Sequence, residues 1–256
     1  MEIKRLGVSL NGAERVFYYR DIHSDRCVIE QNLINKEYAT VMFERDRDIR
    51  RRYGQILSSG KRPVIVDCGA NIGTSVLYFL GEYPDAHIVA IEPAPANVAL
   101  LERNTEGLNV KVINKGVSSS EGEMELVDNG EPFACRLKVS QSVSQSVSQS
   151  VSQSVSQSVS QSVSQSVQVT RLSEILKEYD PETLFILKVD IEGGEKMLFS
   201  GDVSWADNFY VCMVELHDWL FPGERTALPF LKWCASVDRD FIYRGENIFS
   251  VRNGRV

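Results

Sequence analysis

The chain has 256 residues, 43% of them apolar, and its 28 Lys and Arg against 35 Asp and Glu leave a formal charge of −7, a composition that suits one globular domain and repels phosphate backbones unless a local basic surface exists. The longest apolar stretches, Val64 to Val66 and Tyr210 to Val214, fall far below the roughly 20 residues of a bilayer span, and MEIKRLGVSLNG lacks the apolar region of a secretory signal, so a soluble, cytoplasmic protein without nucleic-acid partner or membrane span is expected. Five cysteines without a C-x-x-C pair, and three histidines without a Cys or His neighbour at ligand spacing, argue against a disulfide framework and a zinc ribbon and give no dedicated metal site, although carboxylates alone can hold Mg²⁺.

Residues 1–60 read as an N-terminal β/α cap, with a strand at Arg15 to Tyr19 and a helical pattern from about Lys36 to Leu57. Within that pattern Asp46 with Arg50, and Asp48 with Arg52, stand at i,i+4, the spacing of ion pairs on an exposed helix. The run Arg50-Arg51-Arg52 is either part of this solvated face or a contact for an anionic substrate.

From residue 61 the pattern alternates. Val64 to Val66 reads as a strand, Thr74 to Leu80 a helix, Ile88 to Ile91 a strand, Ala96 to Asn104 a helix and Val110 to Ile113 a strand. Val139 then opens seven consecutive copies of V-S-Q-S that end at Ser166. A period of four drifts against the 3.6-residue helical turn, so no apolar helix face persists. Without charge or aromatics, the insert at residues 139–166 is expected to be disordered or a loosely paired ribbon, serving as a partner-binding arm or simply tolerated in a surface loop. Beyond it, Leu172 to Tyr179 reads as a helix, Leu184 to Val189 and Phe209 to Leu216 as strands, and Phe230 to Val237 as a helix. Phe241 to Tyr243 and Ile248 to Val251 form a closing antiparallel hairpin. Such alternation predicts a parallel sheet covered on both faces, the doubly wound α/β class, over residues 61–256.

Ligands of such sheets bind beyond the carboxyl ends of the strands. Four of these ends carry chemistry. After the first, Asp67-Cys68-Gly69-Ala70-Asn71-Ile72-Gly73 has glycines that admit a close ligand and an asparagine that tolerates a left-handed backbone, with a spacing unlike the G-x-G-x-x-G of dinucleotide binders. After the second stands Glu92, 25 residues past Asp67, where an acidic side chain can take both hydroxyls of a ribose or cap the helix near Pro95. The third and fourth ends bring Asp190, Glu192 and Glu195, and His217, to the same crevice.

VDCGANIG, IVAIEP, LKVDIEGGEKMLF and VELHDWL together resemble the FkbM family of S-adenosylmethionine-dependent methyltransferases, and RDIHSDRCVIEQNLINKEY is similar to that family's bacterial members. The resemblance implies a Rossmann-like class I methyltransferase sheet with an antiparallel edge hairpin, S-adenosylmethionine as cofactor, and O-methylation of a sugar, glycolipid or polyketide-like acceptor. It implies that Asp67, Gly69, Asn71 and Gly73 line the methionine and ribose end of the cofactor and that Glu92 holds the ribose diol. Asn114 and Gly116 fall at the family's adenine-proximal turn, and Glu131 to Val139 resembles the stretch ahead of its returning strand.

A crevice rimmed by carboxylates suits a sulfonium cation. A hydroxyl nucleophile needs a general base, for which His217 or Asp190 is the candidate, while Asp190 can instead orient the acceptor or hold a cation. Trp205, Trp219, Trp233 and Phe221 form either a sugar-stacking wall or ordinary packing. A non-catalytic nucleotide-binding or interaction protein, and a nicotinamide-dependent oxidoreductase, are the competing readings.

Overall fold

The computed structural model describes residues 2–128, 135–139 and 163–254. Strands β1 (Ile3–Leu10) and β2 (Ala13–Arg20) pair as a hairpin turned by Asn11 and Gly12, both left-handed, as a tight two-residue connection requires. Helix α1 (His23–Ile29) runs into a π-helical turn at Glu30–Ile34. The helix expected from Lys36 begins only at Asp46, as α2 (Asp46–Ser58). Lys36 is left-handed, and Arg244 donates to the carbonyls of Lys36, Glu37 and Ala39, fixing an irregular segment there. On α2, Arg50 pairs with Asp46 as expected and also with Glu82. The expected pair of Asp48 with Arg52 does not form: Asp48 is taken by Arg45 and Arg51, and Arg52 donates instead to the Glu182 carbonyl.

The main sheet is built from β3 (Val64–Cys68), α3 (Thr74–Glu82), β4 (His87–Ile91), α4 (Pro95–Asn104) and β5 (Val110–Ile113) on one side of its centre. A second sheet follows, from β6 (Gly116–Ser118), β7 (Gly122–Asp128), β8 (Cys135–Val139) and β9 (Val163–Arg171), in the order β6-β9-β7-β8. The chain returns through α5 (Leu172–Leu176), shorter than expected, to β10 (Leu184–Val189), α6 (Glu195–Leu198), β11 (Val211–Glu215), α7 (Leu228–Ser236), β12 (Arg239–Arg244) and β13 (Asn247–Arg252).

Seven strands pair in the order β12-β13-β11-β10-β3-β4-β5. The five from β11 to β5 are parallel, and β13 and β12 close the edge antiparallel, which is the doubly wound sheet and edge hairpin the sequence predicts. The order reverses between β3 and β10, so the crevice outside their carboxyl ends is the topological switch point where such sheets take ligands.

Alternate residues of the central strands feed two cores. Ile65, Ile88 and Ile186 pack with Phe79 and with Phe17, Ile49 and Ile56, so residues 1–60 share a core with the main sheet. Val66, Leu187 and Val214 face Phe199, Phe230 and Trp233 on the opposite side. Each fully buried side chain of this size contributes about 1.5–3 kcal/mol of transfer free energy.

The second sheet was not foreseen. Its signal is the period-two alternation of Met124 and Leu126 with Glu123 and Glu125, whose apolar members pack on Leu137, Val167 and Val169. The repeat begins on the last residue of β8, and its seventh copy, residues 163–166, forms the first part of β9, paired to β7. Residues 140–162, on which the expected disordered or ribbon-like arm falls, lie outside the described residues. No described helix is long and apolar enough to cross a membrane.

Candidate active site

A cavity of about 470 Å³ opens at the switch point. Its floor is the β3 to α3 turn. Gly69 has φ +83°, and a Cβ there would stand 1.8 Å from the Asp190 carbonyl oxygen, so only glycine lets the ends of β3 and β10 approach this closely. Asn71 is also left-handed, at φ +49°. Its backbone N–H donates to Glu92 Oε2 at 3.0 Å, and its Oδ1 is buried without a hydrogen-bond partner.

Glu92 directly follows β4. Its Oε1 accepts from the Ala94 N–H at 2.9 Å and from Asn97 Nδ2 at 3.1 Å, which ties it to the start of α4, while Oε2 faces Asn71 and the cavity. Burial raises its pKa, and the three donors hold that rise back. Asn114 buttresses this corner by donating to the carbonyls of Glu92 and Pro93, 3.0 Å each, and does not itself line the cavity. Gly116 does, beside Leu126 and Leu137 of the second sheet.

The N-terminal segment supplies the roof. Ile22, Ser24, Val28 and Gln31 line the cavity with Arg20, whose guanidinium holds Asp25 and reaches Asn97 Oδ1 at 2.6 Å. Asn32 is tied to Thr74 at the head of α3 by a 2.8 Å bond.

Two expected cofactor residues lie behind the wall. Gly73 precedes α3, packed against Leu101. Asp67 is fully buried, with one oxygen accepting from Ser75 Oγ at 2.6 Å and the other 3.0 Å from Lys188 Nζ. Asp67 and Lys188 are direct neighbours in the β3 and β10 register. Lys188, 2% exposed, also donates to the Gly69 carbonyl at 2.7 Å and stands 3.6 Å from Asp190. Burial works against its charge, yet Asp67, Tyr38 and Asp190 keep its pKa well above the ordinary lysine value. Sequence reasoning passed over this lysine because it sits inside an apolar strand pattern.

Across the cavity lie Asp190, Glu192, Glu215 and His217. His217 is 2% exposed, and its Nδ1 lies 3.0 Å from Glu195 Oε1, a carboxylate with no solvent exposure. The Nε2 faces Glu192, Glu215 and Asp190 at 3.5, 3.6 and 3.8 Å. Burial opposes protonation of His217, but Glu195 and Glu215 outweigh it, and with the charge of Asp190 the pKa rises to about 11. Burial and then Asp190 push Glu192 up to about 8 and Glu215 up to about 7. These neighbours favour the charged form of the ring.

Of the aromatics expected to form a wall, Trp205 and Trp233 are buried in the core, whereas Trp219 lines the cavity mouth at 58% exposure. Phe221 packs over Gly193, where a Cβ would meet its ring at 2.4 Å.

The Methyltransferase FkbM domain family matches residues 67–237. Methyltransferase sdnD of Sordaria araneosa is 29% identical over 209 residues, which cover 75% of this chain and 71% of the relative. Methyltransferase 1 of Beauveria bassiana is 32% identical over 184 residues, 68% and 74% of the two chains. The 31-O-demethyl-FK506 methyltransferase FkbM of Streptomyces tacrolimicus is 26% identical over 225 residues, 82% and 77% of the two chains.

Proposed function

The chain belongs to the FkbM methyltransferase family, and on that premise we propose that it transfers a methyl group from S-adenosylmethionine to a hydroxyl of a sugar, glycolipid or polyketide-like acceptor. The observation that carries this reading is the convergence of Asn71 and Glu92 on one cavity wall, opposite the carboxylates of the β10 and β11 ends. The residues fit the cofactor. Asn71 Oδ1 is a buried acceptor in need of a donor, and Glu92 Oε2 keeps acceptor capacity toward the cavity for a ribose hydroxyl. Gly69 and Gly116 leave room at the turn, while Asp67 acts at one remove, through the Lys188 cation that grips the Gly69 carbonyl.

When bound, S-adenosylmethionine supplies a methyl carbon activated by its sulfonium. This chain's part is to bind and orient. The acidic side of the cavity around Asp190 favours positive charge at the reacting end, and the roof from Arg20 to Gln31 restricts water. The acceptor hydroxyl docks against Asp190 and His217. Its proton passes to the carboxylate cluster, in which Asp190 is the most accessible of His217's neighbours, at 28% side-chain exposure. His217 orients those carboxylates. Trp219 offers its face to a ring-shaped acceptor.

Titration calorimetry with S-adenosylhomocysteine and with NAD⁺ tests the cofactor assignment. Binding of the former is expected, and binding of NAD⁺ alone overturns the reading. His217→Ala is expected to lower turnover far more than cofactor affinity, and full activity would remove it from the reacting centre.

A further inference from the structure

We propose that Asp190, Glu192 and His217 form a binding site for a hard divalent cation of the Mg²⁺ or Mn²⁺ class at the acceptor side of the cavity. Each offers a ligand atom, and these atoms lie within 4.8 Å of one another. With bonds of 2.1–2.6 Å, two ligands at right angles on such an ion are about 3.0–3.7 Å apart and two opposite ones about 4.2–5.2 Å. The cluster needs little rearrangement to close on an ion.

The second observation comes from the histidine. His217 is 2% exposed, its Nδ1 is committed to Glu195, and its Nε2 faces Glu192, Glu215 and Asp190 at 3.5, 3.6 and 3.8 Å. The distances from Nε2 to Glu192 Oε2 and Asp190 Oδ1, 3.5 and 3.8 Å, exceed the roughly 2.7–3.2 Å of an N–H···O bond. The first falls within the spacing of neighbouring ligands and the second just beyond it. A ligating histidine characteristically donates its other ring N–H to a carboxylate, which fixes the ring and raises its basicity. Glu195, wholly buried, is placed for that duty, and its Oε2 has no hydrogen-bond partner.

The arrangement points the same way. Asp190, Glu192, Glu195 and Glu215 all stand around the one His217 ring, while Lys188 is taken up by Asp67 and the Gly69 carbonyl. The two carboxylate oxygens admit Mg²⁺ or Mn²⁺, and the imidazole nitrogen makes Mn²⁺ the better fit of the two.

The site deepens the methyl-transfer reading and, for its mechanistic role, rests on it. An acceptor oxygen bound to the ion is easier to deprotonate. Glu215, outside the ligand set and 3.6 Å from Nε2, then takes the hydroxyl proton as the new O–CH₃ bond forms and the S–CH₃ bond breaks.

The test is Mn²⁺ binding to the whole chain after dialysis against chelator, read from the electron paramagnetic resonance of free Mn²⁺ without cofactor. One Mn²⁺ per chain, displaced by excess Mg²⁺, is expected. Asp190→Asn, Glu192→Gln and His217→Asn should each weaken binding at least tenfold, and Glu195→Gln about 10–100-fold through loss of the ring's orientation. Absence of saturable Mn²⁺ binding in the unsubstituted protein overturns the proposal without reliance on any variant. Stoichiometric binding untouched by every ligand substitution that keeps a cooperative melting transition also overturns it. Because the titration contains no S-adenosylmethionine, its failure is separate from a failure to bind S-adenosylhomocysteine.

Discussion

Replacing Lys188 by methionine removes the cation that ties β3 to β10 while keeping the length of the side chain. Lys188 is 2% and Asp67 0% exposed, so neither charge is screened by solvent. Loss of Nζ leaves the Asp67 carboxylate with Ser75 Oγ, and the Gly69 carbonyl without its 2.7 Å donor. Deleting one member of a buried ion pair costs about 3–5 kcal/mol. At roughly 2–4 °C per kcal/mol for a domain of this size, the melting temperature should fall by about 6–20 °C. Urea denaturation followed by circular dichroism measures the free energy directly. Adding Asp67→Asn to Lys188→Met removes the stranded charge and should recover about 1–3 kcal/mol, the coupling of residues in contact. The Gly69 turn loosens in both variants, so affinity for S-adenosylhomocysteine should stay reduced even where stability returns. A single-variant loss below 1 kcal/mol, or a double variant no more stable than Lys188→Met, would refute the argument.

Glu92→Ala should weaken S-adenosylhomocysteine binding by about 1.5–3 kcal/mol through a lost charge-assisted hydrogen-bond pair; unchanged affinity in calorimetry removes Glu92 from the site. Gly69→Ala forces a left-handed alanine, at about 1–2 kcal/mol, and drives its Cβ into the Asp190 carbonyl at 1.8 Å, so the measured loss in a thermal melt should exceed the conformational penalty alone. A loss within that penalty would mean that the two strand ends separate easily. Among the described thiols, burial pushes Cys212 up to about 11, Cys234 up to about 12 and Cys68 still further from its ordinary value. Iodoacetamide on the folded protein, mapped by mass spectrometry, should therefore label Cys27 before Cys68, Cys212 and Cys234, and early labelling of Cys68 would contradict its burial.

Much of the main sheet was legible because its strands are short apolar runs ending in charged residues. Ile91 before Glu92 and Val189 before Asp190 mark both the strand and its crevice-facing end, whereas Asp67 lies inside β3 and turns into the core. Chain direction then brings those ends together. What pattern reading missed is set by contacts distant in sequence. Arg244 holds the carbonyls at 36–39 out of a helix that the local periodicity favours, and nothing near Lys36 announces an arginine 208 residues away. Lys188 gains its meaning only from a register neighbour on another strand. His217 was legible at the carboxyl end of its strand but not in its buried setting, where Glu195 and Glu215 meet it from two directions. Trp219 could not be told from Trp205 and Trp233 by type, since exposure separates them.

The seventh V-S-Q-S copy enters β9, where Gln165 stands opposite Leu126 and Val167 opposite Met124. The unit has an even number of residues, and a strand alternates its faces every second one. Gain or loss of whole copies upstream therefore preserves the parity of the segment that follows. Leu126 and Leu137 help bound the switch-point cavity, so tandem duplication next to them can change the length of the chain without turning this wall inside out, a freedom that an odd-numbered unit would deny to its descendants.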